Sequence, residues 1–323
     1  ILLAASTNLV GALWGTAVAK TIASGLVDTK VVTSELIVCA LAGAIVWNLI
    51  TWWFGMPSSS SHALVGGLCG SVLAATHNKW SAIIWSQPSV EHWYLGKGVL
   101  WKVVVPMVTS PLCGLLIGFL VMALLYLTLR RARPQWVNSV FGRLQLLSAA
   151  SMGFMHGTND AQKTMGIIAL CLAAATGAGT FDNLPAWLGF LHTPAAAPGK
   201  SVEIATWIKV ACAITMAAGT AAGGWRIIRT LGHKMVKLHP IHGFAAETTS
   251  ALVIMTATHL GIPVSTTHNI SAAIMGVGAA KRLNAIKWTV VERMLWAWVF
   301  TIPVTGLLAY LFVKLSRLGG WIP

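Results

Sequence analysis

Apolar residues fill nine stretches of the chain, at about 1–26, 34–54, 63–76, 99–129, 144–176, 204–224, 241–260, 264–280 and 288–313, with polar or basic segments between them. None alternates with the period of two expected of a strand, so each reads as a helix. Most have the roughly 20 residues needed to cross a bilayer core, but 63–76 and 264–280 are short for that. Each short stretch follows a longer one across a polar break, so 34–76 and 241–280 read as hairpins or broken helices. The stretch 144–176 is long, and His156-Gly157-Thr158-Asn159-Asp160 is expected to cut it.

The two breaks are near-copies. Pro57-Ser58-Ser59-Ser60-Ser61-His62 follows Gly55, and Pro263-Val264-Ser265-Thr266-Thr267-His268 follows Gly261. Glycine and proline stop or start helices, and Ser or Thr caps an N-terminus whose free N–H groups attract anions. A buried hydroxyl costs a few kcal/mol unless it is partnered. Two such ends facing one another would enclose a tetrahedral oxyanion, whereas one alone would be ordinary capping.

Composition fixes the compartment. The chain has 323 residues, 56% hydrophobic and 9% charged, with 16 tryptophans. A soluble domain has about 25% charged residues. The formal charge of +14 lies in short loops, where it reports topology and contact with anionic lipid; no soluble domain is left to carry a nucleic-acid footprint. Trp47, Trp52, Trp53, Trp80, Trp85, Trp93, Trp288, Trp296 and Trp298 read as interface belts and packing. Cys39, Cys69, Cys113, Cys171 and Cys212 are spaced too widely for a metal or redox motif.

Charge also orients the chain. The basic clusters Arg130/Arg131/Arg133/Arg143, Arg226/Arg229/Lys234/Lys237 and Lys281/Arg282/Lys287/Arg293 are placed in the cytoplasm. The loops 77–98 and 177–203, carrying Glu91, Asp182 and Glu203, are placed outside. The hairpins then insert from opposite sides. The expected fold is all-α, a polytopic membrane protein with inverted-topology repeats and two motif-bearing hairpins. Residues 1–129 form one half, 130–143 a basic linker and 144–323 the other half. Inverted-repeat transporters bind substrate near the midplane on interrupted helices.

Ionisable residues inside a membrane are costly and usually functional. Asp160 and Lys163 would be neighbours on one helix face. Glu247 lies in an apolar helix before Thr248, Thr249 and Ser250, and reads equally as a proton or cation carrier or as a helix-end residue near His239 and His242. His62, His268 and His156 read as hydrogen-bonding packers or proton carriers. Asn48 and Asn269 would support the site. The run ending Lys163-Thr164 is no phosphate-cradling loop, because Gln162 replaces the required glycine. With no Ser–His–Asp or zinc-ligand set, an enzyme is not expected.

His156-Gly157-Thr158-Asn159-Asp160-Ala161-Gln162-Lys163, together with the two Pro-x-Ser-[Ser/Thr]-[Ser/Thr]-His turns, resembles the inorganic phosphate transporter family of the Pit type, its bacterial low-affinity branch in particular, across essentially the whole chain. The resemblance implies a symporter of inorganic phosphate in the bacterial inner membrane. Phosphate would be held by Ser59, Ser60, Ser61, Ser265, Thr266 and Thr267 with Thr158, Asn159 and Lys163. Asp160, Gln162, Glu247, His62 and His268 are the candidates for coupling. The family carries a signature in each half, and the first copy is expected before Ile1, where the chain opens inside an apolar run without methionine. Sodium-coupled members carry Asn-Asp-x-x-Asn, and Lys163 stands at the last position here. An ammonium cannot ligate sodium, so a proton, or a divalent metal travelling as a neutral complex with phosphate, is expected in place of sodium. No other cofactor is expected, and a homodimer is the expected assembly. The alternatives are sodium coupling, another oxyanion such as sulfate, or a channel or membrane enzyme.

Overall fold

A computed structural model describes residues 1–87, 96–194 and 202–321. Trp93, Glu91 and the end of the 177–203 loop fall outside these. In chain order the helices are α1 (Leu2–Ala12), α2 (Ala17–Ser24), α3 (Ser34–Trp53), α4 (Ser60–Ala75), α5 (Val105–Leu129), α6 (Pro134–Gly177), α7 (Thr206–Ala222), α8 (Trp225–Arg229), α9 (Pro240–His259), α10 (Thr266–Lys281) and α11 (Trp288–Leu318). Among the described residues, extended pairing is limited to two isolated bridges, Val27 with Ile83 and Gln87 with Lys97. Three helices there are long and apolar enough to cross a membrane: α3, Leu100–Leu129 (which contains α5) and α11. The bent pair α1–α2 makes a fourth if counted as one span.

Helix α6 organises the rest. At 44 residues it is about 66 Å long at 1.5 Å per residue. Pro134 starts α6 with Arg133 as its cap, so most of the basic segment 130–143 is helical. One expectation is corrected here: the His156–Asp160 run does not cut the helix. Gly153 and Gly157 are contact points: a Cβ on Gly157 would strike the backbone of Asn8, and one on Gly153 the side chain of Thr7, so these glycines admit α1 close against α6.

The hairpins lie along opposite halves of α6. Ile37 of α3 and Leu68 and Val72 of α4 share an apolar cluster with Ile167 and Leu170 of α6. Phe244 of α9 meets Phe141 near the start of α6 at 5.3 Å between ring centroids. Each second arm packs on its own partner, α4 on α11 and α10 on α5. In lipid, small residues let backbones approach: Gly66 and Gly70 of α4 abut Ile302, Thr305 and Gly306 of α11, and Gly276 of α10 abuts Leu115 of α5. The supporting helices share a pattern that sequence reading passed over, Thr109-x-Pro111-x-x-Gly114 in α5 and Thr301-x-Pro303-x-x-Gly306 in α11.

The apolar run 1–26 is also less regular than its composition implies. It bends by 68° between α1 and α2, where Gly15 takes φ +79°.

Candidate functional site

The two turns are built alike. Gly55 and Gly261 take φ +64° and +63°, a left-handed backbone that glycine adopts without a steric penalty. Ser59 caps α4 by accepting from the His62 N–H at 3.2 Å, and Ser265 caps α10 by accepting from the His268 N–H at 3.2 Å. Each cap contributes about 1 kcal/mol. The turns meet: the His62 and His268 rings lie 4.8 Å apart, edge to face. Trp298 stacks on His268 at 4.0 Å and donates its indole N–H to the Pro57 carbonyl at 3.1 Å, so this tryptophan has a packing role that ties the two turns together.

Helix α6 passes this junction at Asp160 and Lys163. The Lys163 ammonium, 3% exposed, donates to Asp160 Oδ1 at 2.5 Å, Ser61 Oγ at 2.5 Å and the Val264 carbonyl at 2.6 Å. All three of its hydrogens are therefore engaged. Thr266 Oγ1 donates to Asp160 Oδ2 at 2.8 Å. One ion pair thus bonds to both turns, Ser61 in the first and Val264 and Thr266 in the second. Beside it is a cavity of about 170 Å³ lined by Asn48, Ser60, Ser61, Asp160, Lys163 and Thr164, among others.

Other candidate residues have different neighbours. Ser59 and Ser265 use their oxygens as caps. Thr158 donates to the Met155 carbonyl of its own helix and lines a separate cavity beside Trp14 and Thr258. Asn159 holds the end of α9 through Thr258 Oγ1 at 2.9 Å. Gln162 secures the α1–α2 elbow: its Oε1 accepts from the Val18 N–H at 2.9 Å and its Nε2 donates to the Trp14 carbonyl at 3.1 Å. Thr267 is half-buried one residue beyond Thr266. Glu247 stands apart. It accepts from Ser148 Oγ at 2.6 Å, twelve residues before Asp160 on α6, or about 18 Å along the axis. Four of the ten buried side-chain polar atoms without a hydrogen-bond partner among the described residues belong to the turns and the adjoining part of α6: Asn159 Oδ1, His62 Nδ1 and both ring nitrogens of His268. Such atoms in a native fold call for an explanation.

Each turn is also tied to a distant elbow. Thr230 donates to the Gly55 carbonyl at 2.8 Å, and Thr21 donates to the Gly261 carbonyl at 2.8 Å. Arg226 adds a bond to the Trp53 carbonyl at 2.6 Å and lies 5.0 and 4.6 Å from the ring centroids of Trp52 and Trp53. The sequence carries a signal for this arrangement, Gly15-x₄-Lys20-Thr21-Ile22 and Gly224-x₄-Arg229-Thr230-Leu231, which becomes meaningful once the elbows are seen.

The sequence pattern of the phosphate transporter family matches residues 1–138 and 128–309. A probable low-affinity inorganic phosphate transporter of Mycobacterium bovis is 41% identical over 322 residues, covering 99% of this chain and 70% of that protein. Its namesake in Bacillus subtilis is 39% identical over 320 residues, covering 98% and 86%. A solved structure titled "The sodium-dependent phosphate transporter" superposes with a TM-score of 0.76 over 98% of this chain and 89% of that one, at 22% identity, and so shares the fold. The chain belongs to the phosphate transporter family and is a multi-pass integral protein of the bacterial plasma membrane.

Proposed function

We propose that the protein is a proton-coupled phosphate symporter whose substrate sits in the cavity lined by Ser60, Ser61, Asp160 and Lys163, to which the second turn is linked through the Thr266 bond to Asp160. The observation that carries this reading is the engagement of Lys163 with Asp160 and both turns. The ammonium already neutralises the one carboxylate at the junction and offers no lone pair, so a sodium ion finds no anionic cage there. The capped starts of α4 and α10 add partial positive charge, about half a unit per helix end, and hydroxyls supply donors. The surplus favours an anion.

The hairpins are read as an inverted pair that alternates access by rocking or gating. A shift of 206 positions superimposes Gly55, Pro57, Ser59 and His62 on Gly261, Pro263, Ser265 and His268. The arms match in length, 20 residues for α3 and α9 and 16 for α4 and α10. The shared Thr-x-Pro-x-x-Gly pattern of α5 and α11 extends the correspondence to the supports.

Labelled phosphate uptake into liposomes under separately imposed proton and sodium gradients tests the coupling. A proton gradient is expected to drive accumulation and a sodium gradient alone is not; strict sodium dependence sinks the reading. Ser60→Ala and Thr266→Ala are each expected to lower uptake about tenfold or more, because a hydrogen bond to a charged group contributes about 1.5–3 kcal/mol, with membrane insertion intact. Ordinary uptake by both variants removes the site. Sulfate and arsenate as competitors define the range of oxyanions accepted.

A further inference from the structure

We infer that the coupling proton resides between His156 and Asp160, and that Asn8 and Thr220, from α1 and α7, dictate this. The inference rests on the proton-symport reading above and locates the proton within it. It begins at Thr220, whose hydroxyl donates to the Met216 carbonyl at 2.9 Å. Toward Asn8 that oxygen must therefore accept, and Asn8 Nδ2 donates to it at 3.2 Å. This fixes the Asn8 amide with Oδ1 turned to His156, 2.9 Å from Nδ1. An amide oxygen only accepts, so Nδ1 carries a hydrogen. The other ring nitrogen, Nε2, lies 3.0 Å from Asp160 Oδ2.

A neutral imidazole with its hydrogen on Nδ1 shows only a lone pair at Nε2, and an ionised carboxylate shows only lone pairs. Two acceptors repel at that separation. The contact therefore holds one additional proton, either as imidazolium facing carboxylate or as carboxylic acid facing imidazole, and the pair is neutral in both forms. With Lys163 on the other carboxylate oxygen, the trio bears one positive charge when this proton is present and none when it is absent. The gain arises beside the cavity and suits a monoanionic oxyanion such as dihydrogen phosphate. Proton and anion then favour each other's binding reciprocally. Thr266 donates to the same Oδ2, so the second turn senses the proton directly. His156 is 32% exposed, against 14% for Asp160 and 3% for Lys163, and is the most accessible member of the trio.

The elements packed against the pair carry other titratable groups: Lys163 on α6, His62 at the start of α4, His268 at the start of α10, His259 at the end of α9, and Lys20 on α2. Glu247 and Lys209 lie toward the far ends of α9 and α7. The group that α1 presents to His156 is an amide, and behind that amide α7 places a hydroxyl.

The test uses the intact protein in liposomes and two readouts. Phosphate–phosphate exchange reports the anion site, and accumulation under a proton gradient reports coupling. His156→Gln is expected to lower proton-driven accumulation about tenfold or more, the ordinary size of a coupling between two sites, while exchange persists and loses the pH dependence shown by the wild type. Proton-driven accumulation at the wild-type level overturns the inference. If His156→Gln loses both activities, Asn8→Leu decides. It keeps the imidazole but frees its tautomer, and the midpoint of the exchange–pH profile is expected to move by about one unit; an unmoved midpoint overturns the inference. Phosphate's own titration is common to every variant and cancels in the comparison. Exchange that survives Ser60→Ala and Thr266→Ala would instead defeat the anion site, whatever the pH profiles show.

Discussion

Replacing Lys163 with methionine is expected to abolish phosphate accumulation and to destabilise the fold by about 3–5 kcal/mol, the usual cost of stripping one partner from a buried ion pair. The ammonium is 3% exposed and donates to three acceptors from three different segments: Asp160 on its own helix, Ser61 in the first turn and Val264 in the second. Methionine matches the length of the stem and offers no donor. Asp160 would keep His156 and Thr266 on Oδ2 but lose its counter-charge on Oδ1. The double variant Asp160→Asn/Lys163→Met separates the two effects. It neutralises the pair, so most of the thermal stability is expected to return, because removing both members of a buried pair costs far less than removing one. Uptake is not expected to return, because the positive charge beside the cavity is still missing. Melting of the detergent-solubilised protein and liposome uptake, measured on the same preparations, check both statements; a double variant that transports normally would show that Lys163 is purely structural.

The second large effect concerns the seating of the hairpins. Gly70→Val and Gly276→Val, at positions 206 apart in the two hairpins, are each expected to prevent their hairpin from docking and to yield aggregated protein. A Cβ on Gly70 would run into the backbone of Gly306, and one on Gly276 into the backbone of Leu115. Overpacking costs about 1–3 kcal/mol when side chains can yield. Here the obstacle is main chain, so the helices themselves must part and the cost lies at or above the top of that range. Gly142→Ala and Gly219→Ala are the controls, because nothing lies within 4 Å of a Cβ at either site. Fluorescence size-exclusion chromatography would show monodisperse controls and aggregated valine variants; a monodisperse, stable Gly276→Val protein would contradict the packing argument.

How much of this was legible in the sequence depends on the range of the interaction. The turns were readable because glycine, proline, hydroxyl and histidine recur in one order, and each residue type has a local task. Asp160 and Lys163 were readable as neighbours because a three-residue separation puts both on one helix face. The continuity of α6 was not readable. Gly157 looks like a breaker from its own segment, and only the approach of Asn8 shows why a side chain is excluded there. The elbow after α1 was hidden because 1–26 is apolar throughout, and the residue that secures it, Gln162, lies far along the chain. Glu247 illustrates the same difficulty from the other side: a carboxylate inside an apolar run attracts a functional reading, but its nearest partner is Ser148, well along α6 from Asp160. Thr21 and Thr230 give no signal singly, since a lone threonine on a helix commonly bonds to its own preceding turn; only the repeat of their settings marks them.

Those two threonines have an architectural consequence. The ledge beneath the serine-rich cradle is supplied by the elbow that follows α7, and the ledge beneath the threonine-bearing cradle by the elbow that follows α1. The carrier is woven across its midpoint rather than joined there. If the cradles rock during transport, as proposed above, a tilt of either is expected to tug on an elbow that lies far from it along the chain, so that the two movements are coupled.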